Sequence, residues 1–134
     1  MTVSKQNGLE WHDGWLASIL HLDDGTVFAA FALAVNWDQY RVRFGLCPIS
    51  QEQAGYLVRQ HATNGFSSEF NKTWQNTLSE SPLYLIDEVP IEGTVIHCVE
   101  ASVTQRECIR NCRLPLVEIA SSPESVLFWL LEPK

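Results

Sequence analysis

The sequence predicts an α+β fold: an antiparallel sheet of about five or six strands, with two central helices and a C-terminal helix packed on it. Three observations carry this prediction. Two apolar runs with a period of two residues flank Asp23-Asp24-Gly25, a third run from Tyr40 to Leu46 alternates cleanly, and Ser50-Gln51-Glu52-Gln53 has the form of a capping box.

In chain order, residues 1–8 are polar and end in Asn7-Gly8, which predicts a flexible tail before a short first strand over Leu9–Gly14. In the next run Leu16, Ser18, Leu20 and Leu22 share one face, and beyond the turn Val27, Ala29, Phe31, Leu33 and Val35 share one face. Asp-Gly tolerates the positive φ of a tight reversal, so strands and turn agree. The other face of the second run, Thr26, Phe28, Ala30, Ala32 and Ala34, is small and apolar. It suits a strand covered on both sides, closely by a helix. Alanine is also the best helix former, so a helix over Thr26–Tyr40 is the rival reading.

In the third strand Tyr40, Val42, Phe44 and Leu46 are expected inward and Arg41 and Arg43 toward solvent, with Pro48 ending it. Ser50 then caps a helix from Gln51 to about His61 that buries Ala54, Leu57 and Val58 and stops near Thr63-Asn64-Gly65. A second helix opens at Ser67-Ser68-Glu69 and carries Phe70, Trp74 and Leu78 as one stripe. Leu83–Val89 reads as a strand, Pro90–Gly93 as a turn, and Thr94–Val103 as a longer strand. On that strand Val95, His97, Val99 and Ala101 oppose Ile96, Cys98 and Glu100. Thr104–Cys112 fits a short helix or a loop. Arg113–Ala120 fits an edge strand broken by Pro115, and Ser122-Pro123-Glu124 starts a last helix to about Leu131.

At 134 residues and 15.2 kDa, with 46 % hydrophobic and 19 % charged residues, the chain has the size and mixture of one globular domain, 1–134. No apolar run is long enough to span a membrane and the first residues lack a signal-type apolar stretch, which predicts a cytoplasmic protein with reduced cysteines. Sixteen acidic residues against nine basic ones give a net charge of −7 and a pI near 4.9. That charge disfavours nucleic acid as a direct ligand, disfavours membrane headgroups, and favours a protein with a basic surface.

Several constellations carry residue types suited to chemistry. His97 and Cys98 with Cys108 and Cys112 are the ligand types of structural zinc, but adjacent strand residues point to opposite faces and no Cys-x-x-Cys knuckle is present. Cys47, before Pro48 and near a helix start, is the best-placed thiol for a nucleophile, yet no glycine-rich nucleophile turn surrounds it. His12 and His21 stand near Asp13, Asp23 and Asp24, which read as solvated turn acids. Arg41 with Arg43, and Arg106 with Arg110 and Arg113, are the two basic clusters, the second offset by Glu100, Glu107 and Glu118. No phosphate loop, dinucleotide fingerprint, nucleophile elbow or His-Glu-x-x-His occurs.

The acidic turn positions are more suggestive as a set. Asp13, Asp23, Asp24, Asp38, Asp87, Glu88 and Glu92 punctuate predicted turns, and Trp11, Trp15 and Trp37 lie beside them. Gathered at one end of the sheet, they would form a negative rim with aromatic anchors suited to a basic protein surface. The sequence thus leads to the expectation of a non-enzymatic acidic binding module without cofactor or metal, of inhibitor or immunity type, as in phage and mobile-element anti-CRISPR proteins. A small Cys/His enzyme and an accessory subunit of a larger complex are the alternatives, and monomer and homodimer are equally open.

Overall fold

A computed structural model describes residues 2–11, 15–36, 38–39, 41–64, 72, 76, 82–87 and 90–111. Six strands form one antiparallel sheet in sequence order: β1 (Val3–Trp11), β2 (Trp15–Leu22), β3 (Val27–Asn36), β4 (Arg41–Ile49), β5 (Tyr84–Ile86) and β6 (Val99–Glu100). Helix α1 (Gln51–Asn64) follows β4, and helix α2 (Val103–Asn111) follows β6. The α+β class and the sheet are as the sequence predicts. In the expected second helix only Lys72 and Asn76 are described, both helical. The expected strand over 113–120 and the C-terminal helix lie outside the described residues.

The central hairpin forms for the reasons its sequence supplies. Leu22 and Thr26 close the turn through Leu22 N–H donating to the Thr26 carbonyl at 2.8 Å, and Gly25 takes φ 91. The rival helix over 26–40 is overturned: β3 is a strand buried over its first eight positions and paired on both edges, because partners on each side outweigh alanine's local preference.

Each face of the sheet carries its own cluster. On one, Ala17, Ile19, Val27, Ala29, Phe31 and Leu33 pack with Ala54 and Leu57 of α1 and Ile109 of α2. On the other, Val3, Leu20, Leu22, Phe28, Ala30, Ala32, Phe44, Leu46 and Ile86 enclose Ile96. The helices therefore lie against the Val27/Ala29/Phe31/Leu33 face, not against the alanine face where the sequence reading put one. A bulge in β3, where Ala32 pairs with Phe44 but Ala34 with Arg43, shifts the alternation, so Leu33 and Ala34 join the helix-side cluster and Val35 the other. Gly45 lies opposite Phe31, where a Cβ would sit 2.5 Å from the ring's Cζ.

Three expectations need correction. Residues 3–8, read as a tail, belong to β1: Val3 is buried, and Gln6, Asn7 and Gly8 pair with β2 through Leu20, Ile19 and Ser18. Pro48 does not end β4, which runs to Ile49 with Pro48 opposite Phe28. Thr94–Val103 is not one long strand, since only Val99 and Glu100 form a ladder, with Leu85 and Tyr84.

What the 94–98 stretch does instead is join the two edges of the sheet. Thr2 bridges Val95, Val3 N–H donates to the Thr94 carbonyl at 3.0 Å, and Gly93 N–H donates to the Val3 carbonyl at 2.8 Å. The chain leaving β5 thus crosses to β1 and returns to pair with β5 as β6, curling the sheet around the Ile96 cluster. Phe28 and Tyr84, from strands separated by β4, meet edge to face with ring centroids 6.1 Å apart across this concave side.

Candidate functional site

Among the predicted site residues, Asp23 and Asp24 form the exposed tip of the β2–β3 turn. Both carboxylates also hold the backbone there. Asp24 Oδ1 accepts from Thr26 N–H at 2.9 Å, which keeps this carboxyl below its ordinary range, and Asp23 Oδ1 accepts from Thr2 N–H at 3.2 Å. Asp38 is exposed in the β3–β4 turn. Trp15 opens β2 opposite Trp11, while Asp13, Trp37 and Glu88 lie outside the described residues.

Asp87 has a more specific setting. It follows Ile86, which pairs with Phe44, so the next cross-strand pair sets Asp87 against Arg43. Asp87 Oδ1 accepts from Arg43 Nε at 2.7 Å, and its Oδ2 accepts from Arg43 Nη2 at 2.9 Å and from Arg41 Nη2 at 3.0 Å. Hydrogen bonding from Arg43, the largest influence, holds the Asp87 carboxyl below its ordinary value of 3.8, against a partial desolvation that raises it. Arg43 is thus not at solvent as its alternation predicted. Its side chain is 5 % exposed against 44 % for Arg41, because the face opposite Phe44 is covered by the helix-side cluster. Sequence reasoning missed this pair, since Arg43 and Asp87 are brought together by the β4–β5 register alone.

The topology also divides the acidic positions. Successive turns of an up-and-down sheet lie at alternate ends. Asp23 and Asp24 end β2, whereas Asp38 follows β3 and Asp87 follows β5, strands that run alike against β4. Asp23 and Asp24 therefore do not share one rim with Asp38 and Asp87. Glu92 sits near the Asp23 end, its Oε1 accepting from Gln6 N–H at 3.1 Å.

The cysteines are dispersed. Cys47 is fully buried in the helix-side cluster, Cys108 packs against that cluster, and Cys98 against the opposite one. Within the 94–100 stretch His97 is exposed while Cys98 turns inward, as alternation requires. No group of three or more His, Cys, Asp or Glu suited to a metal occurs among the described residues, of which Cys112 and His12 are not part. Of the second basic cluster, Arg106 is half-buried on α2 and Arg113 lies outside the described residues.

The short helix allowed over Thr104–Cys112 forms as α2, and its cap lies at Ser102, which the sequence reading places inside a strand. Ser102 and Gln105 exchange bonds as a capping box, Ser102 N–H to Gln105 Oε1 at 2.8 Å and Gln105 N–H to Ser102 Oγ at 3.2 Å. Ser50 and Gln53 do the same for α1. Among the described residues no helix is long and apolar enough to cross a membrane. Comparison of the chain with family models, with curated proteins and with solved structures found no match in any of the three.

Proposed function

We propose that the protein is a non-enzymatic binding module that occupies a basic surface of a protein partner, in the manner of the inhibitor and immunity proteins of phages and mobile elements, anti-CRISPR proteins included. The observation that carries this reading is the distribution of charge. Asp23, Asp24, Asp38, Glu52, Glu92, Glu100 and Glu107 are all exposed, whereas Arg41 and Arg43, the paired cations that would suit a phosphate backbone, are bound to Asp87. A surface of net charge −7 attracts a basic partner over distances of about 10 Å at moderate salt and raises the encounter rate. The action is steric: the module covers the partner's own ligand site.

The test is capture from lysate of the source cell at low and moderate salt, using the wild type and an Asp23→Asn/Asp24→Asn double variant. Asparagine keeps the acceptor oxygens that hold Thr2 and Thr26 and removes only charge. The expected result is one stoichiometric partner with a basic surface, released as salt rises and captured more slowly by the variant at unchanged circular dichroism. Failure to capture any partner, with zinc or a hyper-reactive thiol on the protein, would favour a Cys/His enzyme instead.

A further inference from the structure

Five large hydrophobic residues are exposed among the described ones, and all but Tyr56 fall between positions 91 and 103: Ile91 and Val95 at 49 %, Val99 at 56 % and Val103 at 69 %. Scattered exposed apolar residues need no explanation, but a row confined to one stretch does. Val95, His97 and Val99 alternate outward while Ile96 and Cys98 turn into the concave cluster, so the three share the outer side of the strap that closes the sheet. Val103 continues the row at the start of α2, with Glu107 one turn further on the same exposed face while Gln105 and Ile109 are buried. Glu107 borders the row at its Val103 end, while Glu100, opposite Tyr84, lies on the other side of the strap. Over 91–107 the acidic residues are Glu92, Glu100 and Glu107, all exposed, against the single basic residue Arg106, half-buried.

We infer that this row, Val95, Val99 and Val103 with Glu107 beside Val103, is the docking surface for a basic amphipathic segment of a protein partner. The inference rests on the binding-module reading above and names its surface. Charge complementarity selects the occupant: apolar side chains of the partner segment cover the valines, and flanking lysines or arginines reach Glu107 within a chain of net charge −7. An acidic segment would bring like charges together, and an anionic lipid surface would be repelled in the same way.

The test uses a fluorescent amphipathic Leu/Lys peptide as probe, with a Leu/Glu peptide of equal length as its counterpart. Val99→Ser/Val103→Ser removes the apolar row, Glu107→Gln removes the carboxylate beside it, and Tyr56→Ser is the control at an exposed apolar residue elsewhere. All four wild-type residues are exposed, so folding is expected to survive and is checked by thermal melting. The Leu/Lys peptide is expected to bind the wild type and to lose about tenfold in affinity with the valine variant and about threefold with the glutamate variant. Tyr56→Ser should match the wild type, and the Leu/Glu peptide should not bind. Equal affinity for wild type and valine variant overturns the inference, since diffuse negative charge would then suffice. A wild-type dimer in sedimentation that the valine variant abolishes overturns it too, giving the row to a second copy. A native partner captured equally by wild type and valine variant overturns this surface and leaves the module reading standing, whereas peptide binding as expected without any native partner counts against the module reading alone.

Discussion

The central hairpin and the strap over 90–98 use the same turn device but differ in what stands behind it. Gly25 and Gly93 both take positive φ, 91 and 85, and both have open space where a Cβ would point. Behind Gly25 are two long ladders and a strand buried over eight successive positions. Behind Gly93 are one isolated bridge, two backbone hydrogen bonds to Val3, the Glu92 carboxylate on Gln6 N–H, and Ile96 as the buried anchor. Burial is what makes backbone pairing cooperative, so the hairpin should open only with the whole domain and the strap by itself.

The most damaging test of that contrast is in the centre. Gly45→Ala would drive a methyl into the Phe31 ring, itself 1 % exposed and unable to swing away, at an expected cost of about 3 kcal/mol in urea unfolding. Adding Phe31→Leu should restore part of the loss. If Gly45→Ala melts like the wild type, β3 and β4 are not the rigid centre.

Next comes the root of the strap. Arg43→Ala leaves Asp87 without its main partner and is expected to cost about 2 kcal/mol, below the range for a fully buried pair because the Asp87 side chain is 38 % exposed. Arg41→Ala, at the exposed end of the same carboxylate, should cost under about 0.5 kcal/mol. The Asp87 carboxyl is lowered in the fold, so its contribution is present above the ordinary value of 3.8 and is lost as pH falls through the lowered one. The stability gap between wild type and Asp87→Asn should therefore be constant near neutrality and shrink in that acid window; a gap that widens there would contradict the pairing.

The matched pair Gly25→Ala and Gly93→Ala sharpens the contrast directly. Each imposes a left-handed alanine, worth about 1 kcal/mol. The first should lower the global transition. The second should speed hydrogen exchange at Val3 and Gly93 while leaving β3 amides unchanged. The smallest effect is expected from Glu92→Gln, about 0.5 kcal/mol, read as faster exchange at Gln6 alone.

What could be read from the sequence follows the same division. The hairpin and α1 announce themselves locally, through Asp23-Asp24-Gly25 and through Ser50 with Gln53. The Ser102–Gln105 box is equally local and was available to the same rule. Residues 3–8 gave no signal because Ser4 and Lys5 are exposed and Val3 alone among the six is a buried apolar residue, so no period of two stands out. The alternation of Val95 to Val99 was correct, but its partners lie at opposite edges of the sheet, which no local pattern specifies. The acidic set failed as a single rim for a topological reason: residue types mark turns, and only the order of strands says which end each turn occupies.

The contact between Thr2 and Val95 also sets an order of events as the chain folds. Neighbouring strands of the meander pair after short excursions, but this contact joins residues from nearly opposite ends of the described chain, and its entropic cost falls only once the intervening strands hold its two partners near each other. It is therefore a late step. Until it forms, the start of β1 lacks the backbone partners that Gly93 and Thr94 supply, and it is during synthesis, before residue 95 has emerged from the ribosome, that this edge is most open to pairing with another chain.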